Sequence, residues 1–392
     1  MFAKLFPILG ITFIDILGFS ILIPILPFYV QHFHAPDVAV GLLFATFAFC
    51  QFVAGPLWGS VSDRIGRKRV LIVSQIGATV GWAALAFANT LWLVFLARIV
   101  EGISGGNISV TQAYVADRVE PAQRPQAFAW IGAAFSAGLV LGPAMGGTLL
   151  THYGYATPFL LAAGLQVVTL VVTIVGLPEE VAAHGEAEPA AKLGDIVRFL
   201  RDKAVAPILV QKFAFSLGLY AWFAAFALVL RALLGFGAAE TSYAFAIFGV
   251  FSIVFQLGVV SRVVDRIGVR AASNLGFVSM IVFFAAIPFA RTIPAMLVTI
   301  VFFSLGLALT NATLATLLTD AAPQRVRGTV LGVGSSLESI SGVLTPTLST
   351  ALLAAYSVVA PAWLSLGFVA VALALGVIAQ RREPRHLSRE AA

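Results

Sequence analysis

The stretch "SDRIGRKR", residues 62–69, sets five charged side chains between two long apolar segments. A near copy, "VDRIGVRA", lies at 264–271, about half a chain later. Three more matches keep a similar offset in the same order: "DRVEPAQR" at 117–124 with "DAAPQR" at 320–325, Pro143 with Pro346, and Gly18 with Gly218. Recurrence in a fixed order predicts that the chain is an internal duplication.

The segments around these charged stretches are too apolar for a soluble protein. Of the 392 residues, 60% are hydrophobic and only 11% are charged, whereas soluble domains carry about 25% charged residues. Apolar stretches of about 20 residues, the length of a membrane-spanning helix, recur along the chain. We predict twelve spans, at 5–30, 38–61, 70–88, 91–115, 126–150, 155–177, 206–230, 241–261, 271–290, 294–319, 327–352 and 358–380.

The basic residues orient these spans. With both termini placed inside, only Arg231 and Arg291 of the 24 Lys and Arg residues lie outside, and Arg98 lies within a span. Basic loops stay on the cytoplasmic side. The distribution therefore predicts a multi-pass protein of the cell inner (plasma) membrane with both termini cytoplasmic. The net charge of +6 then faces the inner leaflet, which argues against a nucleic-acid partner.

The duplication divides the chain into two halves. We predict a six-helix bundle at 1–177, a cytoplasmic linker at 178–205 that is rich in Ala, Glu and Pro, a second six-helix bundle at 206–380, and a cytoplasmic tail at 381–392. The fold class is thus an all-α integral membrane protein with twelve transmembrane helices in two pseudo-symmetric bundles. Transporters with this layout bind a small-molecule substrate between the halves near mid-membrane.

Three ionisable side chains fall near mid-membrane in the first half: Asp15 in span 1, and Arg98 and Glu101 in span 4. A charge at the bilayer centre costs about 2.5–3.5 kcal/mol, so these side chains are expected to face the interior and to have partners. With two carboxylates and one guanidinium, one acid is left to exchange a proton. Asp15 coupled to Arg98 is the first candidate and Glu101 its rival. The alternative is a permanent Asp15–Arg98 pair that only orders the helices.

Glu338 is the acid of span 11, and no basic partner is evident at its depth. We predict a proton-binding or cation-binding carboxyl group; the alternative is a neutral acid hydrogen-bonded to Ser335 or Ser339. The predicted proton-coupling set is therefore Asp15, Arg98, Glu101 and Glu338. Candidates to line a substrate cavity, each of which could instead be a packing residue, are Asn107, Gln112, Gln51, Gln256, Asn311, Phe19, Phe135, Tyr220 and Trp222.

Two glycine-rich motifs predict close helix contacts. Gly138, Gly142 and Gly146 share one helix face, beside Pro143 and Gly147, so a neighbouring helix can approach closely.

The charged loop predicts a conformational clamp in which Asp63 pairs with Arg67 and faces a helix N-terminus of the other half. Its alternative is a plain basic loop at anionic lipid. The predicted clamp residues are Gly59, Asp63, Arg64, Gly66, Arg67 and Asp265.

These motifs carry a family resemblance that covers the whole chain. "GSVSDRIGRKRV", 59–70, resembles the loop 2–3 signature of the major facilitator superfamily, and "RIVEGISGG", 98–106, resembles its fourth-span motif. "GLVLGPAMGG", 138–147, is similar to the fifth-span motif of proton-coupled drug antiporters. The first span resembles the twelve-span drug antiporter branch, of the tetracycline-efflux type, through Asp15, Gly18, Pro24 and Pro27. The chain departs from the family pattern at Val61, Glu101 and Val269.

The resemblance implies the major facilitator fold and a secondary active transporter. It implies a proton-coupled antiporter that exports a small lipophilic or drug-like solute by alternating access, as a monomer driven by the proton gradient without a cofactor. A proton-coupled importer of a small nutrient, a lipid flippase, and a non-transporting receptor or scaffold remain alternatives. ATP is not expected to drive the protein, because the sequence has no GxxxxGK[ST] motif. An enzyme is not expected either, since a nucleophile and a base on facing helices would be needed and the sequence shows no HExxH or GxSxG context. Five scattered histidines and the single cysteine, Cys50, predict no metal site.

Overall fold

All regular structure in the computed structural model is helical over the residues it describes, which are 2–105, 111, 114–115, 119, 124–177, 198–323 and 326–382. The first half contributes α1 (Phe2–His32), α2 (Val38–Ile65), α3 (Arg67–Ala86), α4 (Leu91–Ser104), α5 (Arg124–Tyr153) and α6 (Ala156–Gly176). The second half contributes α7 (Ala206–Leu234), α8 (Ala238–Gly258), the short α9 (Val260–Ile267), α10 (Val269–Ala286), a 3-10 turn (Ile287–Phe289), α11 (Ile293–Ala321), α12 (Arg327–Ala355) and α13 (Ala360–Arg382).

The solvent of these helices is lipid. Within the described residues, nine helices are long and apolar enough to cross a membrane: α1, α2, α3, α6, α7, α8, α10 with its 3-10 turn, α11 and α13. Their outward side chains are apolar, with Val175 81% and Leu257 79% exposed. The predicted all-α membrane architecture is confirmed. The count of twelve spans stays a prediction, and most of the predicted linker and tail lies outside the described ranges.

The duplicated "DRIG" stretches form the same backbone turn. Gly66, between α2 and α3, has φ 95° and ψ 145°, and Gly268, between α9 and α10, has φ 81° and ψ 161°. Residues with a side chain rarely adopt this positive-φ conformation, which glycine adopts without penalty. The tight reversal after each copy is therefore fixed by its glycine.

Helices α1 and α5 pack closely through the predicted glycine face. A Cβ added at Gly138 would lie 2.7 Å from the Phe13 carbonyl oxygen, and one at Gly142 would overlap the Ser20 hydroxyl. The Ser20 hydroxyl donates a hydrogen bond of 2.8 Å to the Gly138 carbonyl. Small residues allow such approach in membranes, where dispersion contacts and interhelical hydrogen bonds drive helix association.

We call the end with the turns at 33–37, 154–155 and 235–237 the outer end, following the predicted orientation. There α2 and α5 of the first half meet α12 and α8 of the second half. A Cβ at Gly41 on α2 would lie 2.5 Å from the Pro346 carbonyl oxygen on α12. A Cβ at Gly147 on α5 would lie 2.7 Å from the Ser242 Cβ on α8. We call these two glycine contacts, which join the two halves at the outer end, the outer seam.

We expect Gly142→Leu to lower the thermal stability and yield of the detergent-purified protein, because its side chain would strike Ser20 and the Leu17 carbonyl oxygen, 2.6 Å from a Cβ at this position. The control is Gly164→Leu on α6, where an added Cβ meets nothing within 4 Å. The melting temperature of each variant can be measured by intrinsic fluorescence. Equal melting temperatures for the two variants would show that the α1–α5 contact is not tight.

Candidate functional site

A cavity of about 200 Å³ lies between the helices at the depth of the predicted charged residues. Asp15, Arg98 and Glu101 all line it, so the structure brings together the three ionisable groups of the first half. Pockets for drug-sized ligands have volumes of about 300–1,000 Å³, so this cavity as it stands accommodates a small solute or part of a larger one. The remaining lining residues are Ile16, Phe19, Phe47, Gln51, Ala78, Trp82, Ser104, Gly105, Gln166 and Tyr220.

Arg98 forms an ion pair with Glu101, one turn along α4. Both side chains are buried, and the Arg98 guanidinium lies 4.1 Å from the centroid of the Phe47 ring, a cation–π contact. Gly81 on α3 makes room for the acid, because a Cβ there would lie 2.5 Å from Glu101 Cγ. A buried ion pair needs such close partners, since the interior of the helix bundle provides little solvation for either charge.

The pair leaves polar atoms unmatched. Within the part of the chain that the structure describes, Arg98 Nε and Nη2 and Glu101 Oε1 are buried without a hydrogen-bond partner. Buried polar groups normally have a partner, and leaving one without costs about 1–3 kcal/mol. These atoms therefore favour a polar group of a solute, or water, at the cavity.

Asp15 is held by a residue that the sequence reasoning missed. The Gln166 side-chain amide on α6 donates a hydrogen bond of 2.6 Å to Asp15 Oδ1. The Thr169 hydroxyl lies 2.9 Å from Gln166 Oε1, which favours an amide orientation with its NH₂ toward the acid. Gln166 is buried. An amide in the middle of the apolar span 155–177 was the available signal, because a buried polar side chain needs a polar partner.

The predicted cavity residues have different outcomes. Phe19, Gln51 and Tyr220 line the cavity, and Gln51 Nε2 donates a 3.1 Å hydrogen bond to the Gly105 carbonyl. The prediction that Trp222 lines a chamber is wrong. Trp222 is fully buried and packs against rings of α7 and α10, with centroids 5.1 Å from Phe226 and 5.2 Å from Phe283.

The other polar candidates do not lie on the described wall of this cavity. Gln256 on α8 and Asn311 on α11 are exposed and are absent from the described lining. Asn107 and Gln112 lie outside the described residues, as does the side chain of Phe135.

Glu338 has a basic partner, so the expectation that it lacks one is wrong. Lys212 Nζ on α7 lies 2.6 Å from Glu338 Oε1 on α12. Lys212 was counted among the residues of the inner segments, but it lies inside α7, one to two turns past the start of the helix. Gly334 lies beside it, because a Cβ there would lie 3.1 Å from Lys212 Cε. The spacing of residues within one helix could not reveal this pair, which joins two distant helices.

The predicted clamp is described only in part. Gly66 makes the turn, and the buried Arg67 donates a hydrogen bond to the Ser62 hydroxyl. Arg64 and Asp265 are exposed. The surroundings of Gly59 and the side chain of Asp63 lie outside what the structure describes, so the Asp63–Arg67 pairing stays a prediction. The described residues also contain no group of three or more His, Cys, Asp or Glu side chains placed to hold a metal ion.

Comparison with known proteins gives matches over nearly the whole chain. A sequence model described as the Major Facilitator Superfamily matches residues 8–346 and 208–392. The chain is 32% identical to the class B tetracycline resistance protein of Escherichia coli over 278 residues, 69% of each protein. It is 28% identical to the Escherichia coli class C protein over 373 residues, 92% of each.

The fold matches a solved structure of low sequence identity. The human organic anion transporter MFSD10 superposes with a TM-score of 0.72 at 20% identity, over 95% of this chain and 99% of that one. At this identity the match shows a shared fold alone.

We expect Glu101→Leu to destabilise the protein more than the double variant Arg98→Leu/Glu101→Leu. The single change leaves a buried guanidinium without its counter-charge, which costs about 3–5 kcal/mol, whereas removing both charges leaves an apolar contact. Melting temperatures of the two purified variants check this order. A double variant less stable than the single one would show that Arg98 is stabilised by groups other than Glu101.

The Lys212–Glu338 pair predicts a charge-swap rescue. Lys212→Glu places two carboxylates together and should lower the melting temperature, while Lys212→Glu/Glu338→Lys restores opposite charges and should recover part of the loss. The recovery is expected to be about 1 kcal/mol or less, since both side chains are partly exposed. No recovery in the swapped protein would contradict a pairwise interaction.

Proposed function

Because the chain belongs to the Major Facilitator Superfamily and is a multi-pass transporter rather than an enzyme, we propose that it exports a small lipophilic or drug-like solute in exchange for protons. The named relatives support this direction, since they are tetracycline resistance proteins. The proposal also places the protein in the inner membrane with both termini cytoplasmic, as the Lys and Arg distribution predicts.

One observation carries the proposal: two acids and one guanidinium line a single, largely apolar cavity. Glu101 pairs with Arg98, and Asp15 accepts a hydrogen bond from the Gln166 amide. With both acids ionised, the three groups carry a net negative charge. Binding one proton removes that charge, so the cavity has a charge state that a proton gradient can change.

The same cavity has features that suit a lipophilic solute. The rings of Phe19 and Phe47 stack with centroids 5.7 Å apart, and Trp82 and Tyr220 complete an aromatic wall. The buried, unpartnered atoms of Arg98 and Glu101 supply a polar anchor. Binding sites of this kind combine apolar walls with a few convergent polar groups that orient the ligand.

In the proposed exchange cycle, the solute and the proton bind in turn at the charged groups of the same cavity. In the outer-closed form, a solute from the inner side would occupy the cavity and contact the Arg98–Glu101 pair. A proton from the outer side would then reach an acid only after the outer seam parts and the solute leaves. Once the acid is neutral, the empty transporter can return to its other conformation at a lower free-energy cost, because a net charge buried in the membrane is unfavourable. Energy comes from the proton gradient, without a cofactor.

Tyr220 connects the two halves in this scheme. It lies on α7 of the second half yet lines the cavity of Asp15 and Glu101, and a Cβ at Gly342 of α12 would lie 3.3 Å from its ring. Glu338 and Lys212 lie on the same two helices, α12 and α7. We therefore keep Glu338, which pairs with Lys212, as a second proton-coupling candidate.

The test is transport in liposomes with an imposed pH gradient. For the wild type we expect gradient-driven movement of a tetracycline or a lipophilic cationic dye, and proton movement in the opposite direction. Asp15→Asn should reduce gradient-driven transport by about tenfold or more while downhill exchange persists, because the amide at this position cannot take up a proton. Glu101→Gln and Glu338→Gln, measured alongside, identify which other acid takes part.

The matched control is Asp37→Asn, which removes a carboxylate at the outer end that accepts a hydrogen bond from Gln31 and lies away from the cavity. It should transport like the wild type. Proton-driven movement of a solute in the same direction as the proton would contradict export and favour an importer. Loss of transport in Asp37→Asn equal to that in Asp15→Asn would contradict the assignment of the cavity.

A further inference from the structure

A second cavity, of about 460 Å³, lies at the outer end and is separate from the cavity of Asp15 and Arg98. Its walls come from both halves of the chain. The first half supplies the end of α1 and Tyr155, which precedes α6; the second half supplies the end of α7 and the turn into α8. We call it the outer pocket, and its main lining residues are Phe28, Gln31, His32, Tyr155, Arg231 and Phe236.

Arg231 is the one arginine or lysine among the lining residues, and it runs against the basic-inside pattern of the sequence. No carboxylate among the described residues lies within ion-pair distance of Arg231. Two acids near the turns of the outer end are engaged elsewhere: Asp37 accepts a 2.9 Å hydrogen bond from Gln31, and Glu240 accepts one of 2.9 Å from the Gly237 amide. The guanidinium is therefore available to an anion.

The groups around Arg231 favour an anion that carries a flat apolar body. Tyr155 lies close enough for the Arg231 charge to act on it: burial raises the pKa of the Tyr155 phenol, and Arg231 opposes that rise. The His32 ring lies 5.9 Å from that of Tyr155, with the two ring planes tilted by 33°. Phe28 and Phe236 add apolar wall. A guanidinium beside aromatic faces suits a carboxylate joined to an aromatic ring.

A ligand in the outer pocket would touch both halves while the outer seam is closed. Parting the seam moves α1 and α6 away from α7 and α8 and removes one wall of the pocket. A ligand that binds one conformation more tightly shifts the population toward it. We propose that the outer pocket binds an organic anion with a flat apolar body from the outer solution and thereby holds the outer end closed.

The binding experiment uses the full chain in phosphatidylcholine nanodiscs with 2-naphthoate as the probe, measured by calorimetry. We expect saturable binding that weakens by about tenfold or more in Arg231→Gln, since a charge-assisted hydrogen bond is lost. Arg231→Lys should bind with intermediate affinity, because it keeps the charge without the planar fork. The control Arg291→Gln removes the other outer basic residue, which is exposed and outside the pocket.

Equal binding of 2-naphthoate by wild type and Arg231→Gln would overturn the proposal. So would equal binding of the uncharged 2-naphthamide by the wild type. Phe236→Ala provides a second variant, which should weaken naphthoate but leave weak inorganic phosphate binding unchanged. Adding phosphatidylglycerol to the nanodiscs tests the source of the anion. If the wild type then loses naphthoate affinity while Arg231→Gln does not change, the pocket binds a lipid headgroup, and the proposal that it binds a free solute is overturned.

The closing effect rests on the proposed export function and is tested separately. In proteoliposomes, 2-naphthoate on the outer face should slow drug–proton exchange by the wild type several-fold and leave Arg231→Gln unaffected. Binding without slowing would overturn the closing role. Absence of any drug–proton exchange would count against the export function, while the calorimetric result would still decide the site.

Discussion

A guanidinium buried among membrane helices requires a counter-charge, and the arrangement around Arg98 follows from that requirement. Glu101 supplies the charge from the same helix, one turn away. The ring of Phe47 covers the other side of the guanidinium, and Gly81 on α3 leaves the space that the Glu101 side chain occupies. Three helices, α2, α3 and α4, thus converge on a charged pair, and the cavity lies where the packing around it is incomplete.

Features that depend on local chain chemistry could be predicted from the sequence. Apart from the end of the fourth predicted span, the described helix ends fell within a few residues of the expected bounds, because long apolar runs end at charged or turn-forming residues. Gly66 and Gly268 were recognisable as paired turns, since both follow the same "DRI" triplet. The glycine face of α5 was visible as a helical spacing. Asp15, Arg98 and Glu101 could be placed at one depth by counting residues from the span ends.

Features that depend on which helices become neighbours could not be predicted. Gln166 reaches Asp15 from a helix far along the chain. Lys212 meets Glu338 across α7 and α12, and counting charges by loop had assigned that lysine to the inner surface. Trp222 has the size and chemistry of a binding residue, but its face of α7 turns toward the rings of α10. Single-chain patterns give the depth and face of a residue, whereas its partner is a property of the packed bundle.

The outer seam joins glycine backbone to hydroxyl-bearing and apolar groups, with Thr148 and Tyr243 adding a hydroxyl contact of 3.4 Å across α5 and α8. None of these described contacts is an ion pair, so separating the two surfaces breaks no charge–charge interaction. Dissolved salt, which acts by screening such interactions, therefore has little effect on the separation. The rate of outward opening is then nearly independent of the ionic strength outside.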